Sequence, residues 1–167
     1  MELKKRDFLQ IINDNRGTIR SLCRAYYAHQ EDQKDAFQDV VLQLWKSFGS
    51  FRGEAEINTW IYRVSLNTLL SKVRREKRTV AAEPLDATHI YIANGRADDN
   101  VELLAQMLQS LQGLDKAIVI LYLEGYRNKE IGEILKISQS NVGTRFNRVK
   151  AQLKSKFNHQ SHESKRP

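Results

Sequence analysis

The sequence predicts an all-α fold built as two small helical domains joined by a flexible linker. Three observations carry that reading. Apolar residues return every three or four positions through nearly the whole chain, the spacing of one helix face. Helix breakers are scarce, two Pro and eight Gly in 167 residues, so long helices go uninterrupted. The periodicity lapses for one long stretch, residues 79–100, which contain Pro84, Gly95 and the pair Asp98-Asp99. That stretch carries four acidic residues against one Arg, directly after a strongly basic run. A change of character on that scale marks a linker. It divides the chain into residues 1–78 and 101–157, and the polar residues 158–167 are expected to form a mobile tail.

The first domain opens on Phe8, Ile11, Ile12, Ile19, Leu22, Cys23 and Tyr26, helical in spacing, with a break expected near Asn15-Arg16-Gly17. A helix over about 33–48 follows, with Phe37, Val40, Val41, Leu44 and Phe48 as its apolar stripe. Gly49 and Gly53 bracket the short loop Ser50-Phe51-Arg52. The next helix holds the most informative stretch, residues 59–75. At about 100° per residue, Trp60, Arg63, Asn67, Ser71 and Arg74 share one stripe, flanked by apolar arcs on both sides. A nucleic acid strand suits such a stripe: the ring offers a stacking face, the amide pairs with a base edge, and the arginines hold phosphates. The helix then enters residues 72–78, of which five of seven are basic. A buried helix with a solvated basic end is the competing reading.

In the second domain helical spacing runs from Val101 to about Leu111 and from Leu114 to Leu123. Asn128 is placed to cap a helix over residues 129–136, with Ile131, Ile134 and Leu135 inward. Ile137 plugs a tight corner, and Ser138 is placed as the next N-cap. Val142, Phe146, Val149 and Leu153 then form one face of a further helix; Asn141, Thr144, Asn147, Arg148 and Ala151 form the other, with Arg145 and Lys150 at its flanks. Gly132 sits where two crossing helices approach closely. This is a helix-turn-helix whose second helix suits the major groove. Residues 141–157 hold five basic and no acidic side chains, which speaks against a merely solvated face.

Net charge is +7, which favours a polyanionic partner, nucleic acid before membrane. The N-terminus lacks the apolar stretch of a signal peptide. The longest apolar run, residues 117–123, is far short of the roughly 20 residues that span a bilayer. Cytoplasmic placement and no membrane insertion are expected. A lone Cys23 excludes an intrachain disulfide framework and a cysteine metal cluster. No nucleophile motif, Gly-rich phosphate loop or recurring ligand spacing appears, so no catalytic residue, metal or cofactor is expected. One helix departs from the basic background: Asp35, Gln38, Asp39 and Leu42 lie at i, i+3, i+4 and i+7. That acidic ridge fits a basic protein surface and would repel nucleic acid.

Taken in order, these elements resemble the sigma-70 family of bacterial RNA polymerase sigma factors, in its extracytoplasmic function (ECF) group. The resemblance rests on Asp35-Ala36-Phe37-Gln38-Asp39-Val40-Val41-Leu42-Gln43-Leu44-Trp45, on Phe51-Arg52-Gly53, and on Thr59-Trp60-Ile61-Tyr62-Arg63-Val64-Ser65-Leu66-Asn67. It rests as well on Glu124-Gly125-Tyr126-Arg127-Asn128-Lys129-Glu130-Ile131-Gly132 through Arg148. It spans residues 8–78 and 101–157. The resemblance implies two partners, core RNA polymerase and promoter DNA, and an anti-sigma factor as a third. It implies that Asp35, Gln38, Asp39 and Leu42 dock on the β′ coiled coil of the polymerase, with the β subunit as a further contact. The minus-10 element would fall to Phe51, Arg52, Trp60, Arg63, Asn67, Ser71, Arg74, Arg75 and Lys77, with Asn67 and the neighbouring loop holding a flipped base and Trp60 supporting the site. The minus-35 element would fall to Ser140, Asn141, Thr144, Arg145, Asn147, Arg148 and Lys150. Gly143 stands where the family often has a basic or polar residue, Gly132 where it has Ala, and Gly113 where it often has Pro. A stand-alone helix-turn-helix regulator is the alternative, and it leaves the Trp60 stripe and the acidic ridge unexplained.

Overall fold

The structure, a computed structural model, describes residues 2–51, 53, 55–79 and 99–163, and side chains within 6–51, 53, 55–79 and 101–157. Among the described residues there are eight α-helices and no strand, the all-α class expected. The chain divides into two compact units, Met1–Gly95 and Arg96–Pro167. Most of the expected linker, residues 80–98, lies outside the described residues.

In the first unit, α1 (Glu2–Asp14) and α2 (Arg16–Tyr26) are separated by Asn15 alone. The expected break is therefore slight. Asn15 N–H bonds Ile11 O, and Ile19 N–H bonds Asn15 O, so the ladder carries on across it. The third helix, α3 (Gln30–Phe48), begins three residues before the expected start. Residues 30–32 are polar and give no periodic signal, but Glu31 and Asp32 suit a helix N-terminus. The Gln33 amide secures the preceding loop by donating to Tyr27 O (2.9 Å) and Ala28 O (3.2 Å).

Helix α4 (Ile57–Thr79) packs against α3 and α2. The core consists of Phe8, Ile12, Ile19, Leu22, Cys23, Ala36, Val40, Leu44, Trp60, Ile61, Tyr62, Leu66, Leu69 and Leu70. On α3 the buried line is Ala36, Val40 and Leu44, while Phe37, Val41 and Phe48 are half-buried. Ala36 is fully buried with Val40 and Leu44, so the buried line runs beside Phe37, Val41 and Phe48 rather than through them.

The second unit comprises α5 (Asp99–Gln109), α6 (Gly113–Leu123), α7 (Asn128–Leu135) and α8 (Gln139–Glu163). Helix α6 is the central element. Residues 117–121 are all buried, which is why its apolar run is continuous rather than periodic. It ends in a Schellman motif: Gly125 takes φ 89, its N–H bonds Tyr122 O, and Tyr126 N–H bonds Leu121 O. The left-handed backbone needs glycine at 125.

Leu111, Val119 and Val149 form one buried cluster, joined by Leu108, Phe146 and Leu153. The backbone of α8 stays helical through Glu163, so helix reaches into residues assigned to the tail. No Pro or Gly interrupts the chain between Gly143 and Glu163, so no helix breaker stands in that stretch.

Candidate functional site

The α4 stripe, the α3 ridge and the exposed face of α8 are the three candidate surfaces. On the first, Trp60 is 6% exposed. Its ring lies 5.0 Å from that of Phe51 and 6.2 Å from that of Phe48. This corrects the reading of Trp60 as a free stacking face: the ring is a floor, and Phe51, half-buried, lies over it. A supporting role for Trp60 is compatible with that position.

Ser47, Ser50, Phe51, Ala55, Trp60, Arg63 and Val64 line a shallow cavity of about 480 Å³. Tight turns build its rim, with Ser50 N–H bonding Ser47 O and Phe51 N–H bonding Phe48 O. Arg63 is half-buried, and among the described residues its buried Nε has no hydrogen-bond partner. The cavity thus gathers Phe51, Trp60 and Arg63, while Arg52 lies outside the described residues. Asn67, Ser71 and Arg74 do not line it. They follow along α4, where the Asn67 amide donates to Arg63 O at 2.7 Å and Arg74 Nε donates to Leu70 O at 3.2 Å. Ser71, Arg74, Arg75 and Lys77 are exposed.

Lys72 does not join that basic run. Its Nζ lies 2.9 Å from Asp39 Oδ2 and 3.7 Å from Glu76 Oε1. The hydrogen bond to Asp39, outweighing partial burial, holds the ammonium above its usual pKa. Glu76 also accepts from the Tyr27 hydroxyl at 2.9 Å. Burial first, then the Glu76 carboxylate, pushes that phenol up.

Asp39 is therefore a half-buried, ion-paired member of the acidic ridge, whereas Asp35, Gln38 and Leu42 are exposed. Beside them an apolar groove of about 370 Å³ is lined by Phe8, Phe37, Gln38, Val41, Leu42 and Trp45. Leu42 and Trp45 remain 49% and 43% exposed, Trp45 edge-on to Phe8 at 5.0 Å. Sequence reasoning counted Leu42 and missed Trp45 as a surface residue. Its signal was there: Trp45 stands at i+3 from Leu42 and i+7 from Gln38.

In the second unit the helix-turn-helix is formed by α7 and α8. Ser138 caps α8 as expected, its Oγ accepting from Asn141 N–H at 3.1 Å. Asn128 does not cap α7. It is the first helical residue, and its side-chain Oδ1 accepts from the Tyr122 hydroxyl. The α7 N-terminus is instead held from below by Glu130, whose carboxylate accepts from Arg127 N–H at 2.7 Å. Arg127 has no acceptor with which to complete a reciprocal box.

The requirement for a tiny residue at 132 is real, but its cause differs from helix crossing. A Cβ there would meet Ile137 O at 2.7 Å, in the turn itself. Lys136 takes φ 58 and Ile137 N–H bonds Gly132 O. The turn folds so tightly that its backbone lies on the glycine.

Ser140, Asn141, Thr144, Asn147, Arg148 and Lys150 are exposed on α8. Lys150 Nζ lies 5.8 Å from the centroid of Phe146, which stacks on Tyr122. Arg145 is half-buried and turned back: Nη1 lies 2.8 Å from Asp115 Oδ1 and Nε donates to Asn141 Oδ1 at 3.0 Å. Arg148 Nη2 reaches the other oxygen of Asp115 at 2.9 Å. Asp115, on the first turn of α6, was not among the expected site residues. Sequence spacing carries no signal for a pairing across 30 positions.

Comparison with known proteins agrees with this layout. Sigma-70 region 2 matches residues 11–79, and sigma-70 region 4 matches residues 102–153. The chain is 24% identical over 146 residues to the ECF RNA polymerase sigma factor SigM of Mycobacterium tuberculosis, covering 87% of this chain and 74% of that one. It is 24% identical over 174 residues to the ECF RNA polymerase sigma factor SigW of Bacillus subtilis, covering 93% of each. It is 28% identical over 162 residues to the RNA polymerase sigma factor YlaC of Bacillus subtilis, covering 84% and 92%. Among solved structures it is similar to the sigma factor RpoE of Bartonella quintana, crystallised with the anti-sigma factor NepR. The TM-score is 0.69 at 17% identity, over 93% of this chain and 96% of that one. CnrH, solved with the cytosolic domain of CnrY, gives a TM-score of 0.62 at 19% identity, over 93% and 90%. No helix among the described residues is long and apolar enough to cross a membrane. The chain belongs to the sigma-70 family of RNA polymerase sigma factors, in its ECF group.

Proposed function

We propose that this protein binds core RNA polymerase, recognises a two-part promoter and opens its minus-10 element, without catalytic residues of its own. One observation carries the reading. The first unit pairs an aromatic-floored cavity at Phe51, Trp60 and Arg63 with an acidic ridge and apolar groove on α3, while the second exposes a polar, basic helix face. The α3 ridge and groove, Asp35, Gln38, Asp39, Leu42 and Trp45, serve the β′ coiled coil. A non-template base flipped from the minus-10 element enters at the cavity. Extracting it costs a few kcal/mol of unstacking. A stack on an aromatic side chain returns roughly 1–3 kcal/mol per base, and Phe51 is the ring positioned over the floor to supply it. Arg74, Arg75 and Lys77 follow the phosphates beyond, and α8 reads the minus-35 element in the major groove. An anti-sigma factor, as NepR is to the sigma factor RpoE of Bartonella quintana, would keep the protein from polymerase. The site of action is the cytoplasm.

The test separates the two faces of the first unit. Asp35→Arg, at an exposed position, is expected to weaken holoenzyme assembly at least tenfold while leaving the isolated fold intact. Asn67→Ala is expected to spare assembly and slow promoter opening, read by permanganate reactivity of unpaired thymines. Equal loss of assembly and opening in both variants would contradict the division of labour.

A further inference from the structure

The α8 face carries a pre-formed network that divides its side chains into two stripes. Asn141, Arg145 and Arg148 stand at i, i+4 and i+7 and are bonded into one line. Asn141 Oδ1 accepts from Arg145 Nε at 3.0 Å, Arg145 meets Asp115 Oδ1 at 2.8 Å, and Arg148 meets Asp115 Oδ2 at 2.9 Å. Ser140, Thr144 and Asn147 stand at i, i+4 and i+7 one position to the side, and all three are exposed.

Asp115 uses both carboxylate oxygens, one for each guanidinium, but the two arginines are held unequally. Arg145 is 33% exposed and has a second partner in Asn141; Arg148 is 61% exposed and, among the described residues, is held by Asp115. An exposed ion pair is weak and readily exchanged for a phosphate, while a partly shielded one whose guanidinium is also held by a second acceptor resists exchange. A carboxylate beneath a surface that meets DNA also lowers affinity for phosphates everywhere, so its presence trades strength of binding for geometry.

We propose that Asp115 is a positioning residue for promoter recognition. It retains Arg145 as an internal brace of the recognition helix and releases Arg148 to a phosphate, leaving base reading to the stripe Ser140, Thr144 and Asn147. The inference rests on the proposed reading of α8 as the DNA-facing helix. In consequence Arg145 makes no phosphate contact in the wild-type complex. Removal of Asp115 frees it to make one, indiscriminately.

The test uses the full chain assembled with core polymerase. Binding is measured across a salt series on duplexes selected by the wild-type holoenzyme from a random library, and on an unrelated duplex. Each phosphate contact contributes about 0.9 to the slope of log affinity against log salt. Asp115→Asn is expected to steepen that slope by about one and to narrow the ratio of selected to unrelated binding several-fold. Asp115→Glu, which keeps the charge, is expected to hold the wild-type slope. Arg148→Ala should flatten the wild-type slope by about one, whereas Arg145→Ala should leave it unchanged and flatten it only in the Asp115→Asn background.

An unchanged slope and ratio in Asp115→Asn would overturn the proposal. So would Arg145→Ala flattening the wild-type slope as much as Arg148→Ala. Should Asp115→Asn lose helical circular dichroism, the two arginine variants decide the matter alone. Wild-type holoenzyme that selects no upstream sequence would overturn the reading of α8 itself, and this inference with it.

Discussion

The two units hold their functional residues by different means. In the second, the turn before α8 and the ends of its neighbours are set by contacts a few residues apart, the Ser138 cap, the Gly132 turn and the Schellman end of α6, and the Asp115 pairs with Arg145 and Arg148 are added from farther along the chain. In the first, the candidate residues are set by partners outside their own helix, some of them far along the chain. Asp39 is tied to Lys72 across 33 positions, Glu76 to Tyr27 across 49, and Trp60 is covered by Phe51 and Phe48. Local geometry leaves a mark in sequence; long-range pairing does not. Each unit is accordingly sensitive to a different kind of substitution.

The largest expected effect falls on the first unit. Trp60→Ala removes a buried aromatic and should destabilise that unit by about 3–5 kcal/mol. Urea melts followed by Trp fluorescence report it through Trp45, since both tryptophans lie in the first unit. Trp60→Phe should restore much of the loss. In the second unit Gly132→Val drives a side chain into the Ile137 carbonyl and should cost about 1–3 kcal/mol, measured by circular dichroism. Ser138→Ala removes one cap and should cost about 1 kcal/mol. If Ser138→Ala proved the more damaging of these two, the account of the turn would need revision.

A smaller effect distinguishes the units by pH. Burial lowers the Lys116 ammonium from 10.5 to about 8. Between those values the unfolded chain binds the extra proton, so the stability of the second unit should rise as pH climbs from 8 to 10.5. The first unit has the opposite sign. Burial pushes the Cys23 thiol from 9.0 up to about 11 and raises the Tyr26 phenol above its ordinary 10. Their folded forms keep protons that the unfolded chain gives up, so stability there should fall as pH passes 9. Urea melts at pH 8 and 10, with fluorescence for the first unit and circular dichroism for both, should show the two transitions moving apart. Lys116→Met should abolish the rise without changing the fall.

The same contrast explains what could be read from sequence alone. The all-α class, the helix-turn-helix and the exposure of Ser140, Asn141, Thr144, Asn147 and Arg148 follow from periodicity and capping chemistry, which act over one or two turns. Trp60 was misread as a free ring because periodicity places a residue on a face but cannot say that a loop folds over it. Asn128 was misread as a cap because Tyr122, on another helix, donates to its side-chain Oδ1. Lys72 was counted with the basic run 72–78, and Asp115 was not counted at all, because each finds its partner on a separate helix.

The central claim is that two surfaces of one chain give core polymerase its promoter choice. Run-off transcription with purified bacterial core polymerase, on a library of randomised upstream sequences with and without this protein, tests it most directly. Transcripts that depend on the protein and share two upstream elements are the expected result. Tight binding to duplex DNA without any transcription would contradict the claim and favour a stand-alone regulator.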